Sequence, residues 1–211
     1  ELKNQSIYAL FDKEMANNPT KTKPYQDKAL EAKKIADDLV KVIEDLKNEI
    51  VERSGGYNED ALELGKKMPD AKDNMDIPAQ ILMLEGKGKP LQDAVLAARK
   101  KFIEFIDEKD REKIKITLDA QDPPPDPELG TQTWISFYFE HIPLVAVLAQ
   151  MTKVQIDVRN AETNITSYLL NAITAGDFKF DKLEAKIIAP TSYVLTGQEY
   201  MADVFVSAFS S

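Results

Sequence analysis

Residues 141–173 read HIPLVAVLAQMTKVQIDVRNAETNITSYLLNAI, and the spacing of their apolar side chains decides the fold. From Leu144, steps of three and four land on Val147, Met151, Val154, Val158, Ala161, Ile165, Tyr168 and Ala172. A mean step of about 3.5 residues belongs to a helix lying lengthwise along other helices. The stretch therefore predicts a long packing rod. Its stripe reads as the core seam of an antiparallel bundle within one chain rather than as an intermolecular coiled coil, because stripes starting at Ile7, Ala32 and Leu91 can supply the partners.

Working outward, residues 1–17 carry Leu2, Ile7, Leu10, Phe11 and Met15 at helical spacing and stop at Asn17-Asn18-Pro19. Pro24 is placed to open a second helix, with Ala32, Ile35, Leu39, Val42, Leu46 and Ile50 on one face up to Ser54-Gly55-Gly56. Those positions make a rod of about 45 Å. Residues 57–88 are less regular, with a short helix over 58–67 and an apolar turn over 77–84. Pro90 opens a third clear helix through Leu91, Val95, Ala98, Phe102 and Phe105, and a brief helix or turn covers 111–116. Residues 118–130 hold four prolines and no periodicity, the mark of a loop stiffened by Pro123-Pro124-Pro125. Behind it, Trp134, Ile135, Phe137, Tyr138 and Phe139 crowd into a few residues that neighbours must bury.

Past Ala175-Gly176-Asp177 the period changes to two. Leu183, Ala185 and Ile187 alternate with charged residues, and Tyr200, Ala202, Val204, Val206 and Ala208 alternate with a mixed face. Both segments read as strands, separated by a turn near Gly197. Two or three strands do not make a stable domain in water. The expected class is mainly α: an elongated bundle of long antiparallel helices over residues 1–176, then a partial β-domain over 177–211.

Composition narrows the function. With 27 basic against 36 acidic side chains the net charge is −9, and no basic block interrupts it, which argues against nucleic acid and anionic membrane surfaces as partners. The absence of cysteine excludes disulfides, thiol catalysis and thiolate metal sites without choosing a compartment. No apolar run approaches the ~20 residues of a membrane span, and no signal peptide is present; since the sequence begins at Glu1, it reads as a processed piece.

Candidate chemistry is thin. His141 is the sole imidazole and reads as a capping or core residue at a helix junction. Asp70, Asp73 and Asp76 lack the alternating carboxylates, glycine and terminal Glu of a calcium loop, so a solvated acidic turn is expected. GKGKP at 86–90 follows no strand and lacks phosphate-loop spacing, which leaves a helix–helix turn. The glycosylation patterns at Asn4-Gln5-Ser6 and Asn164-Ile165-Thr166 both fall inside predicted helices. No catalytic residue, cofactor, metal or small-molecule substrate is expected. The residues of interest are structural: the seam Leu144, Val147, Met151, Val154, Val158, Ala161, Ile165, Tyr168, and the aromatic cluster Trp134, Phe137, Tyr138, Phe139.

The run WISFYFEHIPLVAVLAQMTKVQIDVRNAE, residues 134–162, followed by KLEAKIIAPTSYVLTGQEYMADVFVSA, resembles the GldM/PorM family of the Bacteroidetes type IX secretion and gliding machinery. The aromatic turn, the His-Ile-Pro joint, the TKVQIDVRNAE helix and the Tyr-Val-Leu-x-Gly strand junction occur in family order, and the likeness is weakest over 57–88. The resemblance implies a non-enzymatic, homodimeric periplasmic shaft of one helical domain followed by immunoglobulin-like β-domains, anchored in the inner membrane. An N-terminal membrane helix would join a GldL/PorL-type protein in a proton-driven motor. The far end would reach an outer-membrane-associated ring of GldK/GldN (PorK/PorN) type. Both that helix and the later β-domains are expected to lie beyond this sequence. Two other classes stay open: a helical adaptor binding a partner through an exposed apolar groove near residues 134–139, and an enzyme, which would show converging polar groups in a closed pocket.

Overall fold

The computed structural model of the chain describes residues 2–128, 130–175, 182–188, 197 and 203–209. The chain is mainly helical, with seven α-helices among the described residues. Two compact units divide it, Glu1–Leu170 and Asn171–Ser211.

In the first unit, α1 (Leu2–Asn17) and α2 (Pro19–Arg53) are joined by Asn18 alone. The Asn18 main-chain N–H donates to the Glu14 carbonyl at 2.9 Å, and its carbonyl accepts from the Thr22 N–H at 3.0 Å. Its side chain accepts from the Lys21 N–H at 3.2 Å, a side-chain cap on one of the free donors at the helix start. The chain therefore reverses over one residue whose own main-chain groups are both bonded, and α1 folds back along α2. Thr22 donates to the Glu14 carbonyl at 3.1 Å, and Gln26 donates to Asp12 at 2.9 Å.

The second helix starts earlier than Pro24, the expected first residue. Asn18 caps it and Pro19 occupies the first turn, where a missing N–H costs nothing, so Pro24 lies inside the helix one turn further on. At 35 residues α2 is about 52 Å long, not 45 Å. Ala29, Ala32, Ala36, Leu39, Ile43, Leu46 and Ile50 form its buried face.

After α2 come α3 (Glu59–Glu63), capped by Asn58, and α4 (Asp76–Ala79), which runs on into a π-turn at Gln80–Leu84. α5 (Gly88–Glu104) packs on α2, and Arg53 donates to Glu85 at 2.6 Å across the turn between them. His141 ends the short α6 (Trp134–Phe139) in a left-handed conformation, φ 54°. It is exposed, so it is not a core residue, and its imidazole lies 3.3 Å from Glu140. α7 (Leu144–Ala175) follows. Its first donors find carbonyls in the irregular segment before α4: Leu144 N–H reaches Asn74 at 2.9 Å and Val145 N–H reaches Lys72 at 3.2 Å.

Residues 114–122 are neither helix nor free loop. Ile114, Ile116, Leu118 and Ala120 are turned inward, while Lys115, Thr117, Asp119 and Gln121 are exposed, so this strap is extended. Helix side chains hold its carbonyls: Arg99 donates to Leu118 at 2.7 Å, Gln92 to Ala120 at 2.8 Å and Asn164 to Lys115 at 2.9 Å. Asp122 ends the strap by accepting from the Trp134 N–H at 2.7 Å and from Gln92 at 2.9 Å. The proposed helix or turn over 111–116 is thus a turn that passes into an extended segment. Strict alternation from Lys113 to Ala120 is the physical reason.

In the second unit, β1 (Lys182–Ile188) and β2 (Asp203–Phe209) pair antiparallel. The register sets Leu183 opposite Ala208, Ala185 opposite Val206 and Ile187 opposite Val204, so the alternating apolar positions of one strand face those of the other. The expected strand positions Tyr200 and Ala202, and the junction at Gly176-Asp177, lie outside the described residues.

Among the described glycines, Gly88 is the one with other atoms close against it. A Cβ there would sit 2.8 Å from the Leu82 carbonyl oxygen and 2.8 Å from Ile135 Cγ2. Main chain cannot give way as a flexible side chain can. Gly88→Ala should lower stability by about 1–3 kcal/mol in urea denaturation; an unchanged midpoint would show that the π-turn is not held there.

Candidate functional site

Along the α7 seam, Leu144, Val147, Met151, Val158, Ala161 and Ile165 are fully buried, while Val154 and Tyr168 are half-buried. Each fully enclosed large apolar side chain contributes about 1.5–3 kcal/mol. Beyond Ala161 the buried face moves onto Glu162, Thr166 and Leu169. A straight α-helix drifts by ~20° per heptad against a 3.5-residue repeat, and that drift carries Tyr168 toward the edge. There its hydroxyl accepts from the Asp107 N–H at 3.2 Å.

The aromatic cluster is only partly enclosed. Trp134 and Phe139 are buried and meet edge to face at 5.2 Å, whereas Phe137 is 52% exposed and Tyr138 36% exposed. The expectation that neighbours bury all of these rings is corrected. A helix of six residues cannot turn Phe137, Tyr138 and Phe139 toward one side.

The drift places a carboxylate inside the seam. Glu162 is 1% exposed. One oxygen accepts from the Tyr8 hydroxyl of α1 at 2.9 Å, and the other from Arg159 Nη1, one turn earlier on α7, at 2.9 Å. Arg159 Nη1 also donates to Asp37 of α2 at 2.6 Å. Lys33 of α2 stands 5.1 Å above the Tyr8 ring, within cation–π range. Thr163 donates to Asn4 of α1, and Gln155 donates to Glu44 of α2 at 3.1 Å. Two acidic and two basic side chains with a phenol therefore tie three helices at one level. Burial, with the Glu162 charge and hydrogen bond behind it, raises the Tyr8 phenol well above its usual range.

Sequence reasoning passed over Tyr8, Asp37, Arg159 and Glu162. The signal was there: at 3.6 residues per turn the stripe itself runs onto Glu162 and Thr166. The other candidates show no converging chemistry. Asp70 accepts from Asn58 at 3.1 Å, and Asp70, Asp73 and Asp76 do not gather into a metal cluster among the described residues. The glycosylation patterns lie within α1 and α7, with Asn4 and Thr166 buried. No helix among the described residues is long and apolar enough to cross a membrane.

The node makes two measurable statements. Arg159→Ala leaves an enclosed carboxylate with one neutral donor and should cost about 2–3 kcal/mol in urea denaturation, less than for a fully enclosed pair because the Arg side chain is 26% exposed. A loss no larger than that of Tyr8→Phe, about 1 kcal/mol, would contradict this. The folded chain also holds the Tyr8 proton more tightly than the unfolded chain does. The stability this confers is complete below about pH 10 and is lost as pH rises beyond it. The stability gap between wild type and Tyr8→Phe should stay flat up to that pH and shrink above it; a gap that keeps its size there would exclude the linkage.

Comparison with known proteins adds the lineage. Residues 1–172 match the GldM N-terminal domain, and residues 174–211 match the GldM second domain. No curated protein matches the chain. Two family domains in order, together covering nearly the whole length, show that this chain belongs to the GldM family and is a component of the gliding and type IX secretion machinery.

Proposed function

We propose that the helical unit is a non-enzymatic, stiff segment of a periplasmic shaft, passing proton-driven motion from an inner-membrane complex toward an outer-membrane-associated ring. The observation that carries this reading is the Glu162 node, where the first helix of the chain is fastened to α7, the helix from which the chain continues into the second domain. Packed side chains transmit a displacement because close-packed interiors are not continuously deformable. In this reading the parent protein is a homodimer anchored in the inner membrane. Its membrane helix meets a GldL/PorL-type protein, and its distal domains, immunoglobulin-like in the family, meet a ring of GldK/GldN (PorK/PorN) type.

An adaptor role without force transmission is the second reading, supported by an exposed apolar groove of about 300 Å³ between α2 and α5. Ile35, Leu39, Val42, Ala94, Ala97 and Ala98 line it. It lies between α2 and α5, not at the 134–139 turn where the sequence suggested a groove.

The two readings separate when the joint is loosened. A flexible glycine-serine stretch inserted at Gly176 of the full-length protein should abolish secretion and gliding while leaving protein level and partner capture intact. Unaltered secretion and gliding with the joint loosened would favour the adaptor and overturn the shaft.

A further inference from the structure

On the side of α7 next to the node, a cavity of about 360 Å³ opens between α1, the strap and α7. All eight side chains lining it are polar: Lys3 and Asn4 from α1, Lys115 and Thr117 from the strap, and Arg159, Asn160, Thr163 and Asn164 from α7. Three are cations and none is a carboxylate, although the chain as a whole carries a charge of −9; the nearby Asp157, which accepts from Thr117 at 3.3 Å, is itself paired with Lys153 at 2.8 Å. Charge of this sign, gathered in one concavity of an acidic protein, selects for an anionic occupant.

Thr117, Thr163 and Asn164 are committed, to Asp157 at 3.3 Å, to Asn4 and to the Lys115 carbonyl, but other donors are left over. Arg159 meets both Glu162 and Asp37 through Nη1, so Nη2 and Nε have no partner among the described residues. Lys3 and Lys115 make no ion pair with a described residue, unlike Lys113, which reaches Asp110 at 2.7 Å. Lys115 points its carbonyl at Asn164. In an extended segment the N–H and C=O of one residue, and of residues two apart, point to the same side. The main-chain N–H groups of Lys115 and Thr117 therefore face the same α7 wall, and neither donates to a described residue.

We infer that this cavity is a docking site for an acidic peptide segment of a partner protein, with one or two carboxylate side chains seated among Lys3, Lys115 and Arg159. A carboxylate fits planar guanidinium donors and lysine ammonium groups alike, and charge-assisted hydrogen bonds of this kind are about twice as strong as neutral ones. The size suits one or two acidic side chains of an extended chain. Asn160 and the two main-chain donors of the strap serve the peptide's own carbonyls. This surface is separate from the apolar groove between α2 and α5, so it holds whichever reading of the overall role is correct.

The test uses the whole chain and a fluorescein-labelled peptide rich in Asp and Glu, with its Asn/Gln counterpart as control, read by fluorescence anisotropy. The acidic peptide should bind at least about tenfold more tightly than the amide peptide, and Lys3→Glu and Lys115→Glu should each weaken it about tenfold. Lys100→Glu, an equal change of charge on the exposed face of α5, should leave affinity within about twofold. Thermal melts of the two lysine variants should match wild type, both sites being exposed; in a variant whose melt falls, Lys→Gln at the same position replaces it. Equal binding of the two peptides would overturn the proposal, as would equal weakening by Lys100→Glu, which marks net charge alone. So would displacement of the peptide by inorganic phosphate at equal concentration, because the cavity would then take small anions rather than a segment of protein.

Discussion

A carboxylate enclosed in an apolar seam is the constraint around which the helical unit is built. Glu162 is 1% exposed, and an ionised carboxylate out of water is tolerated only with partners that replace its hydration. The partners come from different parts of the chain: Tyr8 from the first helix, Arg159 from α7 itself, and Asp37 from the second helix to steady the arginine. An apolar contact tolerates sliding by an ångström or more, since the hydrophobic effect has no direction. Hydrogen bonds to a buried charge do not tolerate it. The node therefore fixes the level of α1 and α7 along α2, while the apolar seam supplies most of the energy that holds them side by side.

The connections serve the same arrangement. One residue, Asn18, turns α1 back along α2, and the irregular segment at Lys72 and Asn74 closes the first donors of α7. The strap is the least conventional part. No described residue of the helical unit forms a strand beside it, and Arg99, Gln92 and Asn164 do what a neighbouring strand would do for its carbonyls. Polar groups that a sheet would have paired are thus distributed between two helices, and the donors left over on one side face a cationic cavity.

The sequence disclosed what is periodic. The stripes from Ile7, Ala32, Leu91 and Leu144 mark helices because spacing alone distinguishes an α-helix from other structure, and the alternation at Leu183 and Val204 marks strands for the same reason. It hid what depends on a partner far away in the chain. Glu162 looks like a surface residue until Tyr8, more than a hundred and fifty positions earlier, is seen to reach it. Pro24 looks like a helix start because proline favours the first turn, yet Asn18 and Pro19 had already begun the helix. The aromatic residues after Thr133 looked uniformly buried because composition carries no direction, and a six-residue helix leaves Phe137 outside. The strap was legible in principle: the alternation from Lys113 to Ala120 is strict, but it sits between a turn and a proline run that draw attention away.

The proposed shaft role requires a part that holds its form between α1 and α7. The measurement that bears most directly on this is native-state hydrogen exchange, resolved by residue, on the helical unit. If the node makes α1, α2 and α7 one body, amides around Tyr8 and amides around Glu162 will open with the same free energy, and only with the bundle as a whole. An α1 that exchanges at far lower free energy than α7 would mean that the first helix peels away by itself, and no displacement could then pass through it to the rest of the chain.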